Sequence, residues 1–310
     1  MKFIDLHCDT AMKIFDKNLE LKNNTCSIDI EKLKKGNSLG QVFAFFVELT
    51  EVDDPYTYFN EMYDYFINQI KINNDSIAIV KDIRELRQAE KNNKIGAFLS
   101  IEEGQVIGNK LERLQKVYNK GIRIITLTWN FENDLGYPNA GFKYRDRGLK
   151  KNGIEAVKIC EELGILPDAS HLSDGGFYDL IKYCRKPFIV THSNSRSITN
   201  HPRNLTDDMI KLLGNKGGVM GINFCSEFLG ENSISTVEEM ICHIKHIRNV
   251  GGIDVISLGS DFDGIENEVE IKNASEFDKL YYGLKKENFS DEDIEKIFNK
   301  NVLRLFEETL

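Results

Sequence analysis

Histidines and carboxylates able to grip a cation stand at the ends of short apolar runs along this chain. His7 and Asp9 follow the first run, Phe3-Ile4-Asp5-Leu6, and lie two residues apart. Residues i and i+2 of a strand point the same way, so the pair could present a nitrogen and an oxygen to one ion. Alone, such a pair reads more simply as hydrogen-bonded partners at a strand end. The pattern recurs, however. Ala97–Ile101 runs into Glu102, Ile165–Ala169 into Ser170 and His171, and Phe188–Thr191 into His192. Near the C-terminal third, Gly259-Ser260 leads into Asp261-Phe262-Asp263-Gly264. Two metal ions ~3.5–4 Å apart need a carboxylate able to bridge them. Glu102 is the natural bridge, with His7 and Asp9 completing one ion's donors and His171 and His192 the other's.

These residues can meet only if the runs are neighbouring strands. Strands are expected near Phe3–Leu6, Gln41–Val47, Gly96–Ile101, Ile122–Thr128, Ile165–Ala169, Phe188–Thr191, Val219–Asn223 and Val255–Gly259. Continuous apolar runs such as Val42–Val47 suit a parallel sheet buried on both faces. Between them, Lys110–Asn119, Gly153–Leu163, Gly176–Cys184, Asp207–Leu213 and Val237–Asn249 repeat apolar residues at helical spacing. Strands alternating with helices in this number predict an α/β protein of the (β/α)8 barrel type, whose chemistry sits at the C-terminal strand ends. An open doubly wound sheet is the competitor, but gives less reason for polar residues at nearly every strand end. No linker divides residues 1–310, so a single domain is expected. The helices Asp54–Ile70 and Ile83–Lys91 decorate the interval between the second and third strands. Ser275–Lys285 and Asp291–Glu308, capped by Ser275 and Ser290, should close the outer ring.

A formal net charge of −9, with no Lys/Arg stripe, argues against a nucleic-acid partner. The six cysteines are scattered without a Cys-x-x-Cys spacing, as in a reduced, cytoplasmic protein. No apolar leader, membrane span or anchor tail is read, so no membrane association is expected. Cys8, between His7 and Asp9, should point away from them, which disfavours a nucleophilic role. His243 and His246 share a helix face and are expected to be solvated.

Five stretches together carry a family resemblance: Asp5-Leu6-His7-Cys8-Asp9, Ser100-Ile101-Glu102-Glu103-Gly104, Ser170-His171-Leu172-Ser173, Thr191-His192-Ser193-Asn194 and Gly259-Ser260-Asp261-Phe262-Asp263-Gly264. With the closing Asn301–Phe306, their order and spread over nearly the whole chain resemble the membrane (renal) dipeptidase family of zinc dipeptidases. The resemblance implies a (β/α)8 barrel holding two Zn2+ ions, other divalent metals being possible in an N/O site. It further implies hydrolysis of free dipeptides, tolerance of a D-residue at the C-terminal position, and a homodimer.

Under that resemblance a metal-bridging hydroxide attacks the scissile carbonyl. Asp261 resembles the acid/base that moves the proton to the departing amine, with Asp263 as its rival. Arg203 resembles the arginine that forks onto the substrate carboxylate, with Arg196 as the nearby alternative. Trp129 departs from the pattern: it stands where many members carry a substrate-binding histidine, and indole neither titrates nor ligates metal. Either Asn130 or another donor substitutes, or the substrate range or rate differs; the simplest reading makes Trp129 a pocket wall. Two other readings remain at this stage, a barrel amidohydrolase acting on a cyclic amide or in deamination, and a non-catalytic binding module.

Overall fold

The computed structural model describes residues 1–310. Strands β1 (Phe3–Asp5), β2 (Ser38–Phe46), β3 (Ile95–Glu102), β4 (Ile122–Thr126), β5 (Leu166–Asp168), β6 (Ile189–Val190), β7 (Val219–Ile222) and β8 (Ile256–Leu258) each pair in parallel with the next. β8 returns to β1, pairing Leu258 with Asp5, so the ring closes as a (β/α)8 barrel. Each expected strand is present within a few residues. One strand was not foreseen: Ile77–Ile79 pairs with Ile95–Ala97 outside the ring, beside β3 where β4 has yet to begin. Three residues carry too short a pattern to separate from the helices flanking them.

Register sorts the barrel interior into layers. Val42, Ala44 and Phe46 of β2 pair with Phe98, Ser100 and Glu102 of β3. Ser100 and Glu102 in turn stand opposite Ile124 and Thr126, and those opposite Leu166 and Asp168. With a side-chain period of two, the inward positions pass from apolar residues at the floor, Val42, Phe98, Ile124 and Leu166, to polar ones toward the mouth, Ser100, Thr126, Asp168 and Glu102. The outward set, including Phe43 and Phe45, packs on the helices. Phe45 meets Phe59 and Phe66 of the helix Pro55–Ile72 at 5.5 and 5.6 Å between ring centres.

The C-terminal helices depart from expectation. Ser290 caps Asp291–Glu295 by accepting from Asp293 N–H, but Asn273, not Ser275, caps the preceding segment. Asp291–Glu295 continues through a π turn, Lys296–Lys300, into Asn301–Thr309. Rather than joining the outer ring, this last helix plugs the barrel floor. Val302, Leu305 and Phe306 belong to the same buried cluster as Ile4, Val42, Phe98, Ile124, Leu166, Ile189 and Val219. Phe306 meets Phe98 at 4.7 Å.

His243 is likewise not solvated. It is fully buried, accepts from Ser195 N–H at Nδ1 (3.1 Å) and meets Leu229 C=O at Nε2 (2.9 Å). Burial pushes its pKa down to about 4. His246 remains half-buried against Asp207, 2.7 Å away.

Candidate active site

At the barrel mouth the two oxygens of Glu102 face different histidines. Oε2 lies 3.1 Å from His7 Nε2. Oε1 lies 3.1 Å from His171 Nε2 and 3.5 Å from His192 Nε2. The two latter nitrogens are themselves 3.1 Å apart. Asp9 Oδ2 and Asp261 Oδ1 complete the first group, 3.5 and 3.9 Å from His7 Nε2. The structure therefore brings all five expected metal donors together, divided about Glu102 as the sequence reading divides them.

A metal fits this donor set. Both ring nitrogens of His7 and Asp9 Oδ1 are buried without a hydrogen-bond partner, an arrangement that costs free energy unless something else occupies those lone pairs. At His171 burial first, then the Arg203 charge, holds the pKa down to about 3, and burial lowers that of His192 as well. Both imidazoles are thus neutral and free to donate a lone pair. At His7 burial opposes protonation, but the charges of Glu102 and Asp9 outweigh it and raise the pKa well above normal. Burial and the neighbouring Glu102 push Asp9 well above the usual carboxylate range.

A second ring of contacts fixes the donors. His192 Nδ1 meets Thr191 Oγ1 at 2.8 Å, and that hydroxyl donates to Asp168 Oδ2 at 2.6 Å. Because Thr191 gives its proton to the carboxylate, it accepts from His192 Nδ1–H, which leaves Nε2 as the donor nitrogen. Asp168 also accepts from Thr126 Oγ1, Ser170 N–H and Thr191 N–H. Asn130 Oδ1 lies 3.1 Å from His171 Nδ1, so Asn130 positions a donor in this structure. At the mouth, Asn223 Nδ2 donates to Asp261 Oδ2 at 2.9 Å. Asn223 was missed by sequence reasoning, although it ends the seventh expected strand, where every other polar strand end invited inspection.

Backbone strain gathers here. His171, Asp261 and Asp263 have φ of 64°, 61° and 69°, and Glu103 has φ of 111°. Non-glycine residues persist in such conformations only where their surroundings hold them. Gly264 permits the tightest approach, since a Cβ there would collide with Asp9 Oδ2 and Asp261 Oδ1. β1 itself ends at Asp5, yet a bridge between Cys8 and Phe262, with Asp261 N–H donating to His7 C=O and Asp9 N–H to Phe262 C=O, ties the segment to the chain after β8 as far as Asp9, which opens the helix Thr10–Asp16. Cys8 points away, its thiol donating to Val42 C=O at 3.5 Å.

The rivals among the remaining candidates separate by their partners. Asp263 is consumed by Thr10 Oγ1 at 2.6 Å, Ser27 N–H at 2.6 Å and Ile28 N–H at 3.4 Å. Asp261 keeps Oδ1 turned toward His7. Arg196 is bidentate with Asp174 at 2.7 and 2.8 Å. Arg203 is buried, donates from Nη2 to His192 C=O at 3.1 Å, and has no partner for Nε or Nη1. Its guanidinium lies 5.3 Å from the ring of Phe228. A cleft of about 420 Å3 opens over the donors, lined among others by Phe46, Glu102, Trp129, His171, Phe228 and Asp261.

A (β/α)8 barrel whose mouth concentrates histidine and carboxylate donors belongs with the metal-dependent hydrolases. The comparison with known proteins narrows the class: the model of the membrane dipeptidase family, peptidase family M19, matches residues 1–310, and the chain belongs to that family. It is a metallo-dipeptidase. An uncharacterized dipeptidase of Schizosaccharomyces pombe is 30% identical over 307 residues, 92% of this chain and 73% of the relative. A metallo peptidase from Rhodobacter sphaeroides, solved with a phosphinate mimic of L-Ala-D-Ala, shares the fold with a TM-score of 0.92 at 22% identity, covering 100% and 99% of the two chains. A further solved M19 dipeptidase superposes with a TM-score of 0.93 at 22% identity, covering 100% of this chain and 98% of the other.

Proposed function

We propose that this dipeptidase works at a binuclear zinc centre held by His7, Asp9 and Glu102 on one side and by Glu102, His171 and His192 on the other. The observation that carries the reading is the division of the Glu102 oxygens between His7 and the His171–His192 pair. Imidazole nitrogens with carboxylate oxygens suit Zn2+, and other divalent ions can enter such a set. When bound, the ions polarise the scissile carbonyl and make water acidic enough to attack near neutral pH.

The residues of the chain do the rest. Asp261 accepts the proton of the attacking water at Oδ1 and delivers it to the nitrogen of the departing amine. Its ionised form is ready for this: burial raises its pKa, but the charges of His7 and Arg203 bring it below the usual carboxylate value. Asn223 holds the other oxygen, so Asp261 cannot swing away. Arg203, whose Nε and Nη1 have no partner, takes the free carboxylate of the substrate. That contact favours the bond next to a free C-terminus over internal peptide bonds. Tolerance of a D-residue there is supported by the L-Ala-D-Ala mimic held by the Rhodobacter relative.

No helix is long and apolar enough to cross a membrane. None of the six thiols is paired in a disulfide, which supports a reducing, cytoplasmic setting. A homodimer completes the proposal, and light scattering tests it. The deciding experiment is a panel of L,L and L,D dipeptides with and without added zinc. Metal-dependent cleavage of both L-Ala-L-Ala and L-Ala-D-Ala is expected, and metal-loaded protein inert on both would refute the reading.

A further inference from the structure

An aromatic wall faces the Arg203 side of the mouth. The ring order places β2 and β4 on either side of β3, with β7 diametrically across from β3. Phe46 ends β2 and Trp129 follows β4; their rings lie 4.8 Å apart at 63°. Phe131 extends the wall, 5.7 Å beyond Trp129. Across the mouth, Phe228 follows β7 and stands over the Arg203 guanidinium. The wall and the carboxylate clamp therefore bracket the donors from opposite sides.

The wall is rigid before substrate arrives. Trp129 N–H donates to Glu103 Oε2 at 3.0 Å, and the next residue, Asn130, is tied to His171. The Trp129 ring reaches within 6.1 Å of the His171 ring, so the wall begins at the edge of the donor cluster. The ionisable groups at the cleft rim, Lys13, Glu227 and Glu266, come from segments after β1, β7 and β8 instead. A dipeptide whose carboxylate meets Arg203, and whose amide bond lies over the donors, directs its N-terminal residue toward Phe46 and Trp129.

We infer that Phe46 and Trp129, with Phe131 packed against Trp129, form the subsite for the side chain of the N-terminal residue, and that they select dipeptides bearing an aromatic or large apolar residue there. This rests on Arg203 anchoring the carboxylate, as proposed above. Offset and edge-on aromatic contacts add to apolar burial, while glycine offers neither.

Two substrate series test the inference, X-Ala and Ala-X, with X as Gly, Ala, Leu or Phe, read as kcat/KM on the metal-loaded enzyme. Phe-Ala is expected to exceed Gly-Ala roughly tenfold, the usual reach of apolar discrimination. In Trp129→Ala, and separately in Phe46→Ala, that ratio should fall to within about twofold of unity. Trp129→Phe should keep most of it. Taking ratios cancels any shared loss from disturbing His171 or the fold. A Phe-Ala to Gly-Ala ratio that survives Trp129→Ala overturns the inference, as does flattening of the Ala-X series instead. Failure of the carboxylate clamp is read separately, as equal cleavage of Phe-Ala and its C-terminal amide.

Discussion

Glu102 organises the mouth because each of its oxygens answers a different set of nitrogens, and Asp261 is the carboxylate there whose other oxygen is held by a neutral amide. That asymmetry gives the two residues separable roles. Asp261→Asn keeps the shape and the Asn223 neighbour but removes the carboxylate proposed to accept the proton. It should retain bound metal by elemental analysis while kcat falls about 10²–10⁴-fold; metal loss together with activity would instead make Asp261 a ligand. The five donors were legible because each terminates an apolar run, a signal that survives without knowing the fold. The partners that orient them were not. Asn223 meets Asp261 38 positions on, and Asn130 meets His171 41 positions on. Nothing in the local pattern around an asparagine says which distant carboxylate or imidazole it faces.

At the scale of elements, strand positions were readable from composition, and helices from spacing with their caps. Thr206 accepts from Met209 N–H, and Thr236 with Glu239 forms a reciprocal capping box. What stayed hidden was which side of an element another segment would cover. His243 sits at a spacing that suits solvent, yet the loops carrying Ser195 and Leu229 fold over it. Its folded pKa of about 4 lies below the ordinary 6.5. The unfolded chain therefore binds the proton more readily. The stability contributed by neutral His243 is complete above pH 6.5, drains away between pH 6.5 and 4, and is gone below that, a loss of at most about 3.4 kcal/mol. His243→Gln should flatten urea-unfolding midpoints across that window, and an unchanged slope would remove His243 as the cause. The closing helix was misplaced for the same reason. Its apolar face is plain in sequence, but whether it meets the outer ring or the barrel floor depends on packing against residues as distant as Ile4, Val42 and Phe98. Phe306→Ala should cost about 3–5 kcal/mol by urea denaturation, the range for an aromatic removed from a packed core. A loss below about 1 kcal/mol would place Phe306 in an outer-ring site able to collapse or rehydrate.

Across the whole molecule the barrel runs from an apolar floor, through a layer of hydroxyls and a satisfied Asp168, to a mouth crowded with His7, Asp9, Glu102, His171, His192 and Asp261. Asp168 below is fully hydrogen-bonded; the unpartnered buried atoms gather at the mouth, on His7, Asp9 and Arg203, with Gln41 Oε1 and Ser257 Oγ among the strand residues beneath. The rigid lower layers hold like charges together at a place where only added cations relieve them. A zinc titration of chelator-stripped protein, read as the rate of L-Ala-D-Ala hydrolysis, tests this most directly. Activity should be absent without metal and should rise to a plateau at about two equivalents of zinc per chain. A plateau at one equivalent, or hydrolysis that persists in the stripped protein, would contradict the two-ion centre built on Glu102.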